Sequence, residues 1–332
     1  MPVTRQWLLA GHPKGCPVEE SHFRQATVEV RGPDEGEMLL ATRYLGFDPA
    51  QKGWMENIAD YVAPMAIGDV MRGSAISEVM VSRRPGFAPG DLVLGTTGWT
   101  EWHISDGAGL ERIETTLPPT AMLSILGTTG MTAWCGLFKR GQPVAGDTVL
   151  ISGAAGATGS VVGQLARIAG CRAIGIAGGA EKCRWLVEEA GFDAAIDYKA
   201  GNLSGQIGAL CPGGVDVVFD NVGGGVLDAM LGNIATGARV VICGGISRNE
   251  TGGLPVGPRN YFNLVFRRAS MSGFIVLDWA SEFPEIRTRL ERLIQAGRLS
   301  YREDIEHGFE NAPSTLMRLF AGKNRGKQLL KL

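Results

Sequence analysis

The sequence predicts a two-part α/β protein, with a doubly wound parallel sheet of six strands in its middle and a β-rich domain ahead of it. Three observations predict this. From about residue 148 to 275, six short Val/Ile-rich runs alternate with helical patterns, the signature of a parallel sheet covered on both faces. Before about residue 125, β-prone runs are separated by turn signals such as Gly32-Pro33-Asp34 and Pro89-Gly90-Asp91. Glycine numbers 48 of 332 residues, about twice its usual share, and gathers at turns between apolar runs. That calls for tight connections or for backbone lying close to a ligand.

The elements follow in chain order. Thr27 to Val30, Met38 to Tyr44, Ile76 to Ser82 and Leu92 to Gly95 read as strands of an all-β or mixed domain. The parallel sheet opens with Val149-Leu150-Ile151-Ser152, which runs into Gly153-Ala154-Ala155-Gly156-Ala157-Thr158-Gly159. A helix from Ser160 to Gly170 follows, with Val161, Val162, Leu165, Ile168 and Ala169 on its apolar side. Arg172 to Ala177 is the second strand, and Glu181 to Ala190 the second helix, stopped by Gly191. Ala194 to Tyr198, Val215 to Asp220, Arg239 to Cys243 and Ser270 to Ile275 complete the six strands of one nucleotide-binding unit. The tail from Glu303 carries a helix, Ala312 to Ala321, a polar turn at Gly322 to Gly326 and the apolar run Leu329-Leu330. Its pattern leaves open which domain it joins.

Composition narrows the partners. With 45% hydrophobic and 20% charged residues, the chain reads as an ordinary globular protein rather than a disordered or coiled-coil one. Its 32 basic and 34 acidic residues nearly balance, with no basic block, so nucleic acid is not an expected partner. No apolar run approaches the ~18–20 residues of a membrane span. Trp7-Leu8-Leu9-Ala10 is cut short by Gly11, His12 and Pro13, too soon for a secretory segment. Six scattered cysteines without a CxxC pair read as free thiols and suit a cytoplasmic location.

The glycine loop carries the first chemistry. Gly153, Gly156 and Gly159 stand between a strand and a helix, where outward N–H groups and the helix dipole favour an anion such as a pyrophosphate. Ala154 replaces one of the usual glycines, so the strand–loop–helix context carries the reading. An NAD site wants an acidic residue at the end of the second strand. Here that strand ends in Gly178-Gly179-Ala180, with Lys182 in the next turn and Tyr198 at the end of the third strand, so NADP(H) is the expected cofactor. Glu181 begins the helix and can point away. Four histidines without a ligand spacing argue against zinc, and no G-x-S-x-G elbow supports a hydrolase. Gly322-Lys323-Asn324-Arg325-Gly326-Lys327 is no Walker loop, because its glycines are one residue too close and Gln328 replaces the Ser/Thr.

Ser152 to Ala166, Gly175 to Cys183 and Phe219-Asp-Asn-Val-Gly-Gly resemble the zinc-independent medium-chain dehydrogenase/reductases. Within them they look like the branch of leukotriene B4 dehydrogenase (prostaglandin reductase), curcumin reductase and the 2-alkenal double-bond reductases. Gly127 to Ala133 and Arg259-Asn260-Tyr261 add to the match, which spans about Leu39 to Leu332. The resemblance implies a GroES-like β-domain over residues 1–125, completed by about 300–332, and a Rossmann domain over 126–299, with the active site in the cleft joining them. It implies NADPH-dependent reduction of the C=C bond of an α,β-unsaturated aldehyde or ketone. By motif, Gly156, Ala157, Thr158 and Gly159 hold the pyrophosphate, and Lys182 and Tyr198 take the 2′-phosphate. Asn221, Cys243, Gly244, Phe274, Ile275 and Val276 line the ribose and nicotinamide; Met131 and Thr132 sit beside the nicotinamide end, and Asn324 reaches the cofactor from the other domain.

In such a reaction hydride adds to the β-carbon, charge develops on the carbonyl oxygen and the α-carbon takes a proton, so the oxygen needs a donor aimed at it. The resemblance offers Tyr261 for that role. Many relatives read D-P-Y-M-R-G where this chain has Asp48-Pro49-Ala50-Gln51-Lys52-Gly53-Trp54. Ala50 replaces a phenol and Trp54 adds an indole, which predicts a substrate other than the prostanoids. An NADPH:quinone reductase of the same superfamily and a noncatalytic NADPH-binding protein remain as alternatives. Homodimers are common in the family and extend the sheet across an edge strand, here Ser270 to Ile275.

Overall fold

The computed structural model describes residues 3–249 and 257–332, which divide into two compact units. One comprises residues 3–124 and 303–332 with Asn249, the other residues 125–248 and 257–302. Among the described residues, no helix is long and apolar enough to cross a membrane.

In the first unit β1 (Val3–Leu9) and β2 (Phe23–Glu29) form an antiparallel pair. The second expected strand, β3 (Met38–Gly46), is the spine of a separate seven-stranded sheet, and a short helix α1 (Ala50–Met55) follows it. β4 (Ala75–Ser82) runs antiparallel along β3, and β5 (Leu92–Gly95) and β7 (Glu111–Arg112) continue outward from it. β6 (Trp102–Ser105) pairs with the first half of β3. Met38, Leu40, Val79 and Val93, all fully buried, fill the space between these strands.

The second unit begins with α2 (Thr128–Cys135), which passes into a π-helical turn, Gly136–Gly141. Its sheet is wholly parallel: β8 (Thr148–Ile151), β9 (Arg172–Ala177), β10 (Ala194–Asp197), β11 (Val215–Asp220), β12 (Ile234–Ile242) and β13 (Ser270–Gly273), in spatial order β10-β9-β8-β11-β12-β13. α3 (Ala157–Ile168), α4 (Ala180–Glu188), α5 (Leu203–Leu210) and α6 (Gly224–Leu231) are the crossovers. After them come α7 (Asn263–Phe266) and α8 (Phe283–Gln295). Leu150, Ile174, Val218 and Val240 form the buried centre.

Several strands stop one or two residues short of expectation, β10 and β13 where expected site residues lie. β10 ends at Asp197, whose carboxylate accepts the Lys199 N–H and turns Tyr198 out of the sheet. β13 ends at Gly273, and the Phe274 ring packs on Trp279 at 5.8 Å instead of continuing the ladder.

The tail belongs to the first unit. β14 (Glu303–His307), α9 (Ala312–Phe320) and β15 (Lys327–Lys331) return to it, and β15 lies antiparallel to the end of β3 with Leu330 opposite Leu45. That pairing explains the apolar Leu329-Leu330, both fully buried.

Candidate cofactor-binding site

Strand order in the parallel sheet reverses between β8 and β11, with β9 and β10 on one side and β12 and β13 on the other. Ligands bind in the crevice beyond the strand ends at such a switch point. The glycine loop lies there. Past β8 the chain turns through Gly153 at φ +58°, a left-handed conformation that residues with a Cβ rarely adopt. The Ala154 N–H donates to the Ile176 carbonyl at 3.0 Å, which ties the loop to β9. A Cβ on Gly159 would stand 2.5 Å from the Gly153 oxygen, so glycine lets α3 begin this close to the loop. α3 starts at Ala157 rather than Ser160, with Gly156 as its cap. The first-turn N–H groups of Ala157, Thr158 and Gly159 therefore lack intrahelical acceptors, and the helix dipole adds positive potential. This cradle fits a pyrophosphate.

Behind it sits a joint that sequence reading missed. Asp220, at 0% exposure, ends β11. Its Oδ1 accepts from Ser152 Oγ at 2.6 Å and the Val222 N–H at 3.1 Å, and its Oδ2 from the Gly223 N–H at 2.9 Å. Burial raises its pKa while these bonds pull it back. The Asn221 N–H donates to Ser152 Oγ at 2.8 Å and its amide to the Ser152 carbonyl at 2.7 Å. The Cys243 N–H donates to the Asp220 carbonyl at 2.9 Å, so the ends of β8, β11 and β12 are locked together. Burial, with the Asp220 charge adding to it, pushes the Cys243 thiol up to about 12, which keeps it protonated at neutral pH.

The loop after β9 forms a second cradle. Gly178 lies against Tyr198: a Cβ there would stand 2.8 Å from the ring and 3.1 Å from its hydroxyl. Lys182 is in the first turn of α4 and half-buried. The end of β9 lacks an acidic residue, as the sequence shows, but a carboxylate reaches this loop from elsewhere. Asp197 reaches it from β10, and its Oδ1 accepts the Gly179 N–H at 2.9 Å and the Lys199 N–H at 3.0 Å. Those two bonds hold its carboxyl below the usual range. Sequence spacing hid it because it arrives from the neighbouring strand.

The remaining expected residues scatter. Met131 is 1% exposed within α2, and Thr132 beside it is half-buried. Gly244 and Ile275 are exposed, whereas Val276 is buried. Tyr261, 57% exposed, lies in a short turn, Arg259–Phe262, edge-on to Phe262 at 6.3 Å. In the first unit Ala50 opens α1, and the Trp54 indole donates to the Tyr61 hydroxyl at 3.3 Å. Asn324 is buried, with its amide donating to the Gly326 carbonyl at 2.8 Å.

Comparison with known proteins follows this division. Residues 5–113 match a family described as the N-terminal domain of oxidoreductase, and residues 157–292 one described as zinc-binding dehydrogenase. Among the described residues, no three His, Cys, Asp or Glu side chains gather as a metal site. The NADPH-dependent curcumin reductase of Escherichia coli is 39% identical, over 99% of this chain and 96% of that protein. The NADP(+)-dependent 2-alkenal reductase of Nicotiana tabacum is 36% identical, over 98% and 96%. CurA of Vibrio vulnificus, solved with NADPH, superposes with a TM-score of 0.92 at 38% identity, covering 98% of each chain.

Proposed function

The chain belongs to the zinc-independent branch of the medium-chain dehydrogenase/reductases, and from that premise we propose that it is an NADPH-dependent reductase of the C=C bond of α,β-unsaturated ketones or aldehydes. Whole-length similarity to reductases named for NADPH, curcumin and 2-alkenals carries the reading, since a 2-alkenal is an α,β-unsaturated aldehyde. Bound NADPH supplies the hydride. The first-turn N–H groups of α3 grip its pyrophosphate, and Lys182 with the Tyr198 hydroxyl takes the 2′-phosphate. Asn221 and the Cys243-Gly244 turn border its ribose, on a floor that the Ser152–Asp220 joint keeps rigid.

The Tyr261 hydroxyl donates to the substrate carbonyl oxygen, where charge builds during reduction. Trp54 and Tyr61, joined by their hydrogen bond, are aromatic groups beside Ala50, whose small side chain suits a bulkier or more aromatic substrate than a tyrosine there would. Comparing Ala50→Tyr with wild type across enones of increasing size tests this; identical profiles would sink it. A homodimer forms through the edge of β13, beside which Phe262, Val265, Phe266 and Met271 are exposed. The cytoplasm, where thiols stay reduced, is the proposed setting for its six free cysteines.

The deciding experiment follows NADPH oxidation with 2-alkenals, arylidene ketones, a prostanoid enone and a quinone, repeated with NADH. Enone turnover giving the saturated product is expected. Turnover of the quinone alone would replace the reading with a quinone reductase, and silence with NADPH still bound would make the chain a binding protein.

A further inference from the structure

We propose that Lys199 is a second cation of the 2′-phosphate site, held over the Gly178-Gly179 loop by the turn that Asp197 braces. The inference rests on the NADPH reading above and adds a specificity residue to it. Lys199 directly follows Tyr198, yet both side chains reach the same place. A Cβ built on Gly178 would stand 3.1 Å from Lys199 Cε and 3.1 Å from the Tyr198 hydroxyl. Both side chains therefore pass over Gly178, the Lys199 stem on the same loop as the phenol that is assigned to the phosphate. Adjacent residues converge because Tyr198–Ala200 is a tight turn rather than a strand, in which the two side chains would point to opposite faces.

Asp197 makes that turn. The same Oδ1 accepts the Lys199 N–H and the Gly179 N–H, so one carboxylate oxygen joins the start of the turn to the loop before α4. Charge balance then gives Lys199 its purpose. Asp197 and Glu181, in the first turn of α4, are both acidic. Asp197 stands at the loop itself, where its charge opposes a phosphate. Lys199 evens the count, and the N-terminus of the nine-residue α4 adds its dipole. NADH lacks the 2′-phosphate and gains nothing from this arrangement.

The test is calorimetric titration of the Lys199→Gln variant with NADPH, NADH, adenosine 2′,5′-bisphosphate and 5′-AMP. Lys199 is exposed, so its replacement leaves the core intact. The Kd for NADPH and the bisphosphate should rise about tenfold, or about 1.4 kcal/mol, while the Kd for NADH and AMP moves less than about twofold. Lys199→Arg should keep most of the wild-type preference, and the difference should narrow as salt screens exposed charge. An unchanged NADPH Kd, or equal weakening of NADPH and NADH, would overturn the role of Lys199. A wild type binding NADPH no better than NADH would instead overturn the cofactor reading on which the inference rests.

Discussion

A carboxylate as completely buried as Asp220 is stable only because every donor around it is aimed at it. It shows what single residues do here, which is to fix backbone that in turn faces the ligand. Tyr261 is the opposite case, an exposed phenol with nothing to brace, so its removal should be felt in chemistry rather than folding. Tyr261→Phe should lower kcat roughly 10- to 100-fold in steady-state assays with an enone, leaving the NADPH Kd unchanged. His103 is different again. Neither ring nitrogen has a hydrogen-bond partner among the described residues, and burial pushes the imidazole down to about 4. The unfolded chain, with an ordinary value of 6.5, binds the proton first as pH falls. Stability is thus retained above pH 6.5 and lost between 6.5 and 4, by at most about 3 kcal/mol. Urea unfolding across that window should show the loss in wild type and a flatter profile in His103→Leu.

At the scale of elements, α3 and the tail strands show how packing governs composition. Of the expected apolar side of α3, Val161, Val162 and Leu165 are buried while Ile168 and Ala169 are half-buried, and the helix approaches its neighbours closely only because Gly163 has no side chain. A Cβ there would run into the Phe192 ring. Gly163→Ala should therefore lower unfolding free energy by about 1–3 kcal/mol despite alanine's better helix propensity, and Phe192→Leu in the same chain should recover part of it. Denaturant titration of the single and double variants reads both effects. β14 was illegible for a related reason. Glu303-Asp304-Ile305-Glu306-His307 has no strand-like composition, and it is held by β15 on one side and by Arg318 of α9, which binds Asp304 at 2.9 Å and Glu306 at 2.8 Å.

The whole molecule returns its last thirty residues to the unit that its first residues build, so one sheet joins distant parts of the chain. Binding of a dinucleotide to the other unit should stabilise the protein by mass action, about 2.7 kcal/mol at a hundredfold excess over Kd. In thermal unfolding at equal concentrations, NADPH should raise Tm and NADH should raise it less; equal shifts would contradict the 2′-phosphate site. The exposed Phe266, at 65%, and its neighbours near the β13 edge predict a dimer in sedimentation, where a monomer alone at micromolar concentration would remove that expectation.

The sequence by itself determined the parallel sheet, its crossover helices and the position of the glycine loop ahead of α3. These depend on local periodicity and on glycine at a strand–helix junction, which are written in consecutive residues. It also offered Lys182 and Tyr198 as candidates for the proposed 2′-phosphate contact, because each lies within a few residues of a strand end. Only the tertiary structure brought Asp220 under Ser152, Asp197 under Gly179, and Lys199 with Tyr198 over Gly178. Ser152 and Asp220 are 68 residues apart and Gly179 and Asp197 are 18, so contacts across neighbouring strands leave no local pattern to read, while Lys199 and Tyr198 converge through a turn where the sequence predicts the end of a strand. The same reason hid β14 and left the tail unassigned: an acidic strand becomes a strand only once a partner strand and an arginine arrive to hold it.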